Sequence, residues 1–230
     1  MFFECQNITF RYPGTQNFVF QNLSFRLNEP GFNALFGPSG IGKTSLAKII
    51  LGDIENFSGD IRNNGVNTLL YSYNMERLPG WSTVGKHLDK ITPMDRKPLK
   101  DELVDVFGVQ KCMDSRFTQL SLGQQNRVNL IRYLVQDFQL LIMDESLANV
   151  DELTKEKIIL KIKAMFPDRS FLYISHNVVE VAKFCKKILV LRSHHKDPQA
   201  VTLEGRDYKA GRALDNKALE HTMLEIVNAS

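Results

Sequence analysis

The chain has 230 residues, of which 43% are hydrophobic and 24% charged, with a formal net charge of +3. That is enough apolar chain to bury one large core, and it lacks the long Lys/Arg run of a nucleic-acid-binding surface. Three scattered cysteines, Cys5, Cys112 and Cys185, make neither a disulfide framework nor a metal-ligand spacing, which suits a reducing compartment.

The first stretches, FFECQNITFRY and FVFQNLSFRL, alternate as strands do, and PGTQN between them predicts an antiparallel pair turning at Pro13–Gly14. MFFECQNITF lacks the charged flank and cleavage site of a signal peptide. FNALF at 32–36 is a short apolar run ending at a glycine and reads as a buried strand. It feeds GPSGIG and a helix through TSLAKIILGD. SGDIRNNG supplies turn residues and a short strand, and TLLYSY at 68–73 another strand.

From about 78 to 136 the spacing becomes helical in STVGKHLDKI, LKDELVDVFGV and LGQQNRVNLIRYLVQ. Strand-helix alternation then resumes with FQLLIMDE, DELTKEKIILKIKAMF, SFLYIS, NVVEVAKFCKK and ILVLRS. Such alternation predicts a parallel sheet with helices on its faces. ALDNKALEHTMLEIVN closes the chain as a surface helix. No apolar run approaches the roughly 18 residues of a membrane span. The expectation is a soluble chain whose membrane role, if any, runs through a partner.

Gly37-Pro38-Ser39-Gly40-Ile41-Gly42-Lys43-Thr44 fits the P-loop pattern and sits between a predicted strand and helix, the context that supports it. Its glycines let backbone wrap phosphates, Lys43 neutralises the β/γ oxygens, and Thr44 offers a hydroxyl to Mg²⁺. LLIMDE at 140–145 buries a strand whose carboxyl end presents Asp144, placed to hold Mg²⁺ through water. Glu145 follows and can orient or deprotonate an attacking water. SFLYISH ends its strand with His176, a candidate γ-phosphate contact. In LSLGQQNRVNL, Ser121, Gly123 and Gln124 open a helix, and a helix N-terminus is a second anion-binding arrangement. Ser121 is equally a helix N-cap.

Taken in order, the P-loop, the 121–125 loop, LLIMDE and ISH resemble the nucleotide-binding subunit of ATP-binding cassette (ABC) transporters. The similarity runs from about residue 3 to 191. It implies an α/β P-loop NTPase fold with a mixed, mostly parallel core sheet, an N-terminal antiparallel β subdomain and an inserted α-helical subdomain. The insert, about 78–136, divides a single 1–230 ATPase domain whose core is 1–77 plus 137–230.

The resemblance also implies roles. Tyr12 in FRYPG matches the aromatic that stacks on adenine. Residues 37–44 with Ser45 bind the nucleotide. Asp144 matches the Mg²⁺ carboxylate, Glu145 the catalytic base, His176 the switch histidine and Asp151 the aspartate of the interface loop. Ser121, Leu122, Gly123 and Gln124 match the signature loop that reaches a partner subunit's ATP. Leu122 stands where the family has glycine, which is compatible with function if the backbone there needs no positive φ. Asn74 takes the place of the glutamine expected near Mg²⁺ and is one methylene shorter. In residues 146–151 only Asp151 keeps the family residue. These departures point to a slow or partner-controlled ATPase.

The implied cofactors are ATP and Mg²⁺. The implied partners are an integral membrane permease, a second cassette in a homodimer or mixed pair, and a substrate-binding protein, with no nucleic acid. The implied place is cytoplasmic, peripheral on the inner face of the cell membrane. RLPGWSTV at 77–84 is similar to a stretch in bacterial importers of nitrate, sulfonates and taurine. It exposes Leu78, Pro79 and Trp81 as an anchor for a partner helix, unless Trp81 plugs a core. A soluble ABC-type ATPase of translation, repair or chromosome handling is the alternative.

Overall fold

The computed structural model describes residues 2–74, 76–78, 80–193 and 195–230. In chain order the elements are β1 (Phe2–Phe10), β2 (Phe20–Leu27), β3 (Gly31–Phe36), α1 (Lys43–Leu51), β4 (Ser58–Asn64), β5 (Leu69–Tyr73), α2 (Val84–Ile91), α3 (Lys97–Val106), α4 (Leu122–Leu134), β6 (Leu140–Asp144), α5 (Glu152–Met165), β7 (Ser170–Ile174), α6 (Val178–Phe184), β8 (Lys187–Leu191), β9 (Ala200–Glu204) and α7 (Asn216–Ala229). Met75, Pro79 and His194 lie outside the described residues, so the expectation for Pro79 in the anchor is untested.

β1 pairs antiparallel with β2 on one side and β4 on the other. The predicted turn is present: Thr15 N–H donates to Tyr12 C=O at 3.1 Å, and Gly14 adopts φ 79°. SGDIRNNG carries more strand than its turn residues suggest, because Ser58–Asn64 pairs along β1. Gly59 permits this at φ 107°; a Cβ there would stand 2.5 Å from the Asn7 carbonyl oxygen, so only glycine fits.

The larger sheet runs β5-β6-β7-β3-β8-β9. All its pairs are parallel except β8 with β9. β6 and β7 are buried along their whole length, which is why they read as continuous apolar runs rather than alternating ones. Alternation decides which cover each side chain meets. Leu140, Ile142, Leu172 and Ile174 face a core shared with α1 and the three-stranded sheet. Leu141, Met143, Phe171 and Tyr173 face a second core shared with the helices, from Leu88 and Leu103 to Ile158 and Val181.

Two further elements depart from the sequence reading. β9 is absent from the sequence reading and pairs antiparallel with β8 at the sheet edge. The C-terminal helix is docked rather than superficial: Thr222 and Ile226 are buried and Leu219 and Met223 pack on the second core.

The chain after β5 is tied to α4. Tyr133 Oη donates to both carboxylate oxygens of Glu76 (2.9 and 2.8 Å), and Arg132 donates to Oε1 at 3.1 Å. Asn129 Nδ2 donates to the Glu76 carbonyl. This grip sets where the segment between Tyr73 and α2 leaves the sheet.

Candidate nucleotide site

Because β6, β7 and β3 are neighbours and parallel, their carboxyl ends share one edge. Parallel sheets bind ligands there. β3 runs into the 37–42 loop, β6 ends on Asp144, and β7 leads into Ser175 and His176.

Gly42 caps α1 in the left-handed region, φ 105°. A Cβ there would stand 2.5 Å from Val19 Cγ1 and 2.9 Å from the Phe20 ring, so the loop turns tightly because Gly42 has no side chain. Lys43 Nζ donates to the carbonyls of Gly37 (2.7 Å) and Pro38 (2.9 Å), which places its charge in the middle of the loop. Burial pulls the Lys43 pKa down, while the Glu145 and Asp144 carboxylates push it back up. Tyr12 Oη and Ser45 Oγ share a hydrogen bond of 2.8 Å, and Tyr12 rests edge-on against Phe10. Tyr12 is thereby held beside the start of α1, still 45% exposed and free to offer a ring face.

Asp144 is buried, and alternation turns it to the α1 side with Ile142. Thr44 Oγ1 donates to its Oδ2 at 2.8 Å, across a hundred residues of sequence. Glu145 breaks the strand by adopting φ 50°, a left-handed conformation that costs a side-chain-bearing residue roughly 1–3 kcal/mol. Its N–H donates to Ile174 C=O at 3.1 Å. The side chain is thus turned to His176, whose Nδ1 lies 3.1 Å from Oε1. An ionised carboxylate only accepts, so Nδ1 carries the proton of this bond.

A cavity of about 460 Å³ is lined by Ser39, Gly40, Gly42, Lys43, Thr44, Ser45, Tyr71, Tyr73, Asn74, Asp144 and Glu145. Gly37, Pro38 and Ile41 shape the loop behind it, and His176 joins through Glu145. Asn74 is present, but its Oδ1 accepts from Asn126 Nδ2 at 3.0 Å, and the same Asn126 donates to Ala148 C=O at 2.7 Å. Tyr71 and Tyr73 belong to this cavity although pattern reading places them only as strand residues. The available signal is the alternation in LLYSY, which puts both on the face of Asp144.

Ser121, Leu122, Gly123, Gln124 and Asp151 do not line the cavity. Ser121 caps α4 in a capping box: Gln124 N–H donates to Ser121 Oγ, and Ser121 N–H donates to Gln124 Oε1. Leu122 is the first helical residue, is half exposed, and has no positive φ. Its backbone therefore makes no demand for glycine. Gly123 does: a Cβ there would stand 2.2 Å from the Asn149 carbonyl oxygen. Asp151 caps α5, accepting from Thr154 N–H at 2.9 Å, and this bond draws its pKa down.

A family model described as ABC transporter matches residues 20–148. The chain belongs to the ABC transporter ATP-binding family. Members of that family bind and hydrolyse ATP, and this cassette is an ATPase. It is 27% identical over 215 residues to the "probable metal transport system ATP-binding protein" of Thermotoga maritima, covering 90% of this chain and 88% of that one. It is 31% identical over 182 residues to the molybdenum import ATP-binding protein ModC of Saccharophagus degradans, covering 71% of this chain. The cassette spans only about half, 50%, of that relative's length. Among solved structures, a bacterial Atm1-family ABC exporter with ATP bound superposes at a TM-score of 0.75 and 19% identity, covering 99% of this chain and 41% of that one. That likeness shows the fold, an α/β cassette with the P-loop between β3 and α1.

Proposed function

We propose that this cassette hydrolyses Mg²⁺·ATP to power import of a small solute through a separate membrane permease. The carrying observation is that Lys43, Thr44, Asp144 and Glu145 converge on one cavity while Ser121 to Gln124 form a second helix N-terminus outside it. One chain then holds half of two sites, and a second cassette, the same or related, supplies the missing halves. Residues 78–136 act as the helical subdomain that carries the signature loop to the partner.

Lys43 exchanges its two loop carbonyls for β- and γ-phosphate oxygens. Tyr12 offers its ring to adenine. The residues that would hold Mg²⁺ are Thr44 through its hydroxyl, Asp144 through its carboxylate and Asn74 through Oδ1. Oxygen donors with few carboxylates suit Mg²⁺, which relies on substrate phosphates for the rest of its shell. When bound, Mg²⁺ neutralises charge that builds on the phosphates. Glu145 takes a proton from the attacking water as its oxygen bonds to the γ-phosphorus and the bond to the β-phosphate oxygen breaks. His176 orients Glu145 and can contact the γ-phosphate, and Asp151 sits at the base of the interface loop.

Import is supported by the names of relatives such as ModC and a taurine import protein, and by RLPGWSTV. Among the described residues no helix is long and apolar enough to cross a membrane. The importer reading itself puts the cassette against the cytoplasmic face of its permease, with a substrate-binding protein outside. Trp81 is 84% exposed, the placement of an anchor rather than a core plug. Trp81→Ala is expected to lower co-purification with a polytopic membrane protein about tenfold or more, the effect of an interface anchor, with soluble ATPase retained. Equal recovery from membranes would refute the anchor, and failure of the wild type to recover any membrane protein would refute the permease.

Leu122→Gly tests whether the signature loop is throttled. The backbone already accepts leucine, so only the bulk of the side chain is removed, and steady-state ATPase is expected to rise several-fold. An unchanged rate would show that the partner's phosphate approaches past the leucine.

A further inference from the structure

The oxygen of Asp144 that Thr44 holds is held a second time. Tyr71 Oη donates to the same Oδ2 at 2.9 Å, beside Thr44 Oγ1 at 2.8 Å. Oδ1 receives no hydrogen bond from the described residues. Two donors on one oxygen fix the carboxylate's rotation. A buried carboxylate also needs such donors, because it has lost water on that side.

The reach follows from the sheet. β5 runs parallel to β6 with Tyr73 opposite Asp144 and Tyr71 opposite Ile142. Tyr71 is therefore one pleat behind, a diagonal that a long aromatic side chain can span. Its ring is kept in place by stacking on Tyr73, centroids 5.4 Å apart at 26°. A tyrosine phenol carries its proton at neutral pH, so the group is a donor there. The Thr44 hydroxyl, with its proton committed to Asp144, keeps its lone pairs for a cation.

We propose that Tyr71 is a positioning residue for the metal site: with Thr44 it pins Oδ2 of Asp144 and leaves Oδ1 as the oxygen offered to the divalent cation or to a water of its shell. This rests on the Mg²⁺·ATP reading above. Partners that orient a ligating carboxylate contribute about ten- to a hundredfold to metal affinity. The phenol therefore sets how tightly the metal is held with the nucleotide, while leaving the phosphate grip of Lys43 alone.

The test uses the whole chain, Mn²⁺ as the metal and ATPγS as the nucleotide. Free Mn²⁺ is followed by electron paramagnetic resonance in wild type and Tyr71→Phe, and nucleotide affinity is measured separately in EDTA. The expected result is Mn²⁺ affinity about tenfold weaker in Tyr71→Phe, with metal-free nucleotide affinity unchanged. Tyr71→Met, which keeps apolar bulk without the hydroxyl, should behave alike and covers the case where the ring swap unfolds the chain. Equal Mn²⁺ affinity in variant and wild type would overturn the proposal. So would an equal loss of metal-free nucleotide binding, which would make Tyr71 a packing residue. Wild-type protein that binds ATPγS without recruiting Mn²⁺ would instead sink the metal reading on which the proposal depends.

Discussion

Glu145→Gln is expected to lower ATP turnover by about 10²–10⁴-fold, the usual contribution of a positioned general base, while ATP binding survives. Glutamine keeps the length of the side chain and an oxygen that can accept from His176 Nδ1, now 3.1 Å from Oε1. It cannot take a proton from water. Lys43, Thr44 and the loop glycines are untouched, so the phosphates remain held. The left-handed backbone at residue 145 is a demand of the chain's exit from β6 and is the same for either side chain, so the melting temperature should move little. With ATP present the variant should accumulate as a closed dimer, because the nucleotide that favours closure is no longer consumed. Steady-state phosphate release and light scattering with and without ATP check both points. Turnover at the wild-type rate would remove Glu145 from its role.

Gly123→Ala should damage the molecule elsewhere, and in a different way. The added methyl would stand 2.2 Å from the Asn149 carbonyl oxygen. The atoms it would meet are backbone atoms of Asn149 and Val150, so α4 and the 146–150 loop must part. Overpacking of this kind costs about 1–3 kcal/mol. The Asn126 bridge, which holds Asn74 Oδ1 and Ala148 C=O together, spans the same seam and would be stretched. The expected result is a lowered melting temperature and ATPase reduced at least tenfold, with nucleotide affinity of the separate chain preserved, since no P-loop residue touches Gly123. Wild-type ATPase and melting temperature together would show that the loop has slack that the geometry denies. On the two-site reading proposed above, the pair of substitutions should separate the half-sites: Glu145→Gln is expected to block chemistry in a closed dimer, and Gly123→Ala to keep the dimer from closing productively.

The P-loop was legible because its constraint is local. Gly42 must take φ 105° directly before a helix, and the residue types that allow this occur within eight positions. Asp144 and Glu145 were legible for a similar reason, since an apolar run ending in carboxylates marks the carboxyl end of a buried strand. The capping of α4 by Ser121 and of α5 by Asp151 can also be read locally, from small polar residues ahead of helical spacing. Their assignment to a partner's nucleotide came from the family resemblance, and the structure places them outside the cavity.

What sequence alone determined is the order of elements up to β8, the two-faced burial of the sheet and the residues of the phosphate loop. Each depends on neighbours within a turn or two of chain. Only the tertiary structure decided that Tyr71 and Thr44 meet on one oxygen of Asp144 and that Asn126 occupies Asn74. It likewise decided that Gly123 is glycine because Asn149 passes beside it, whereas Leu122 sits in ordinary helix. The strand that β9 pairs with and the core that α7 packs on belong with these. All of them are contacts between segments brought together by sheet order and helix packing. No periodicity encodes such a meeting, since either partner's sequence looks the same whether or not the other arrives.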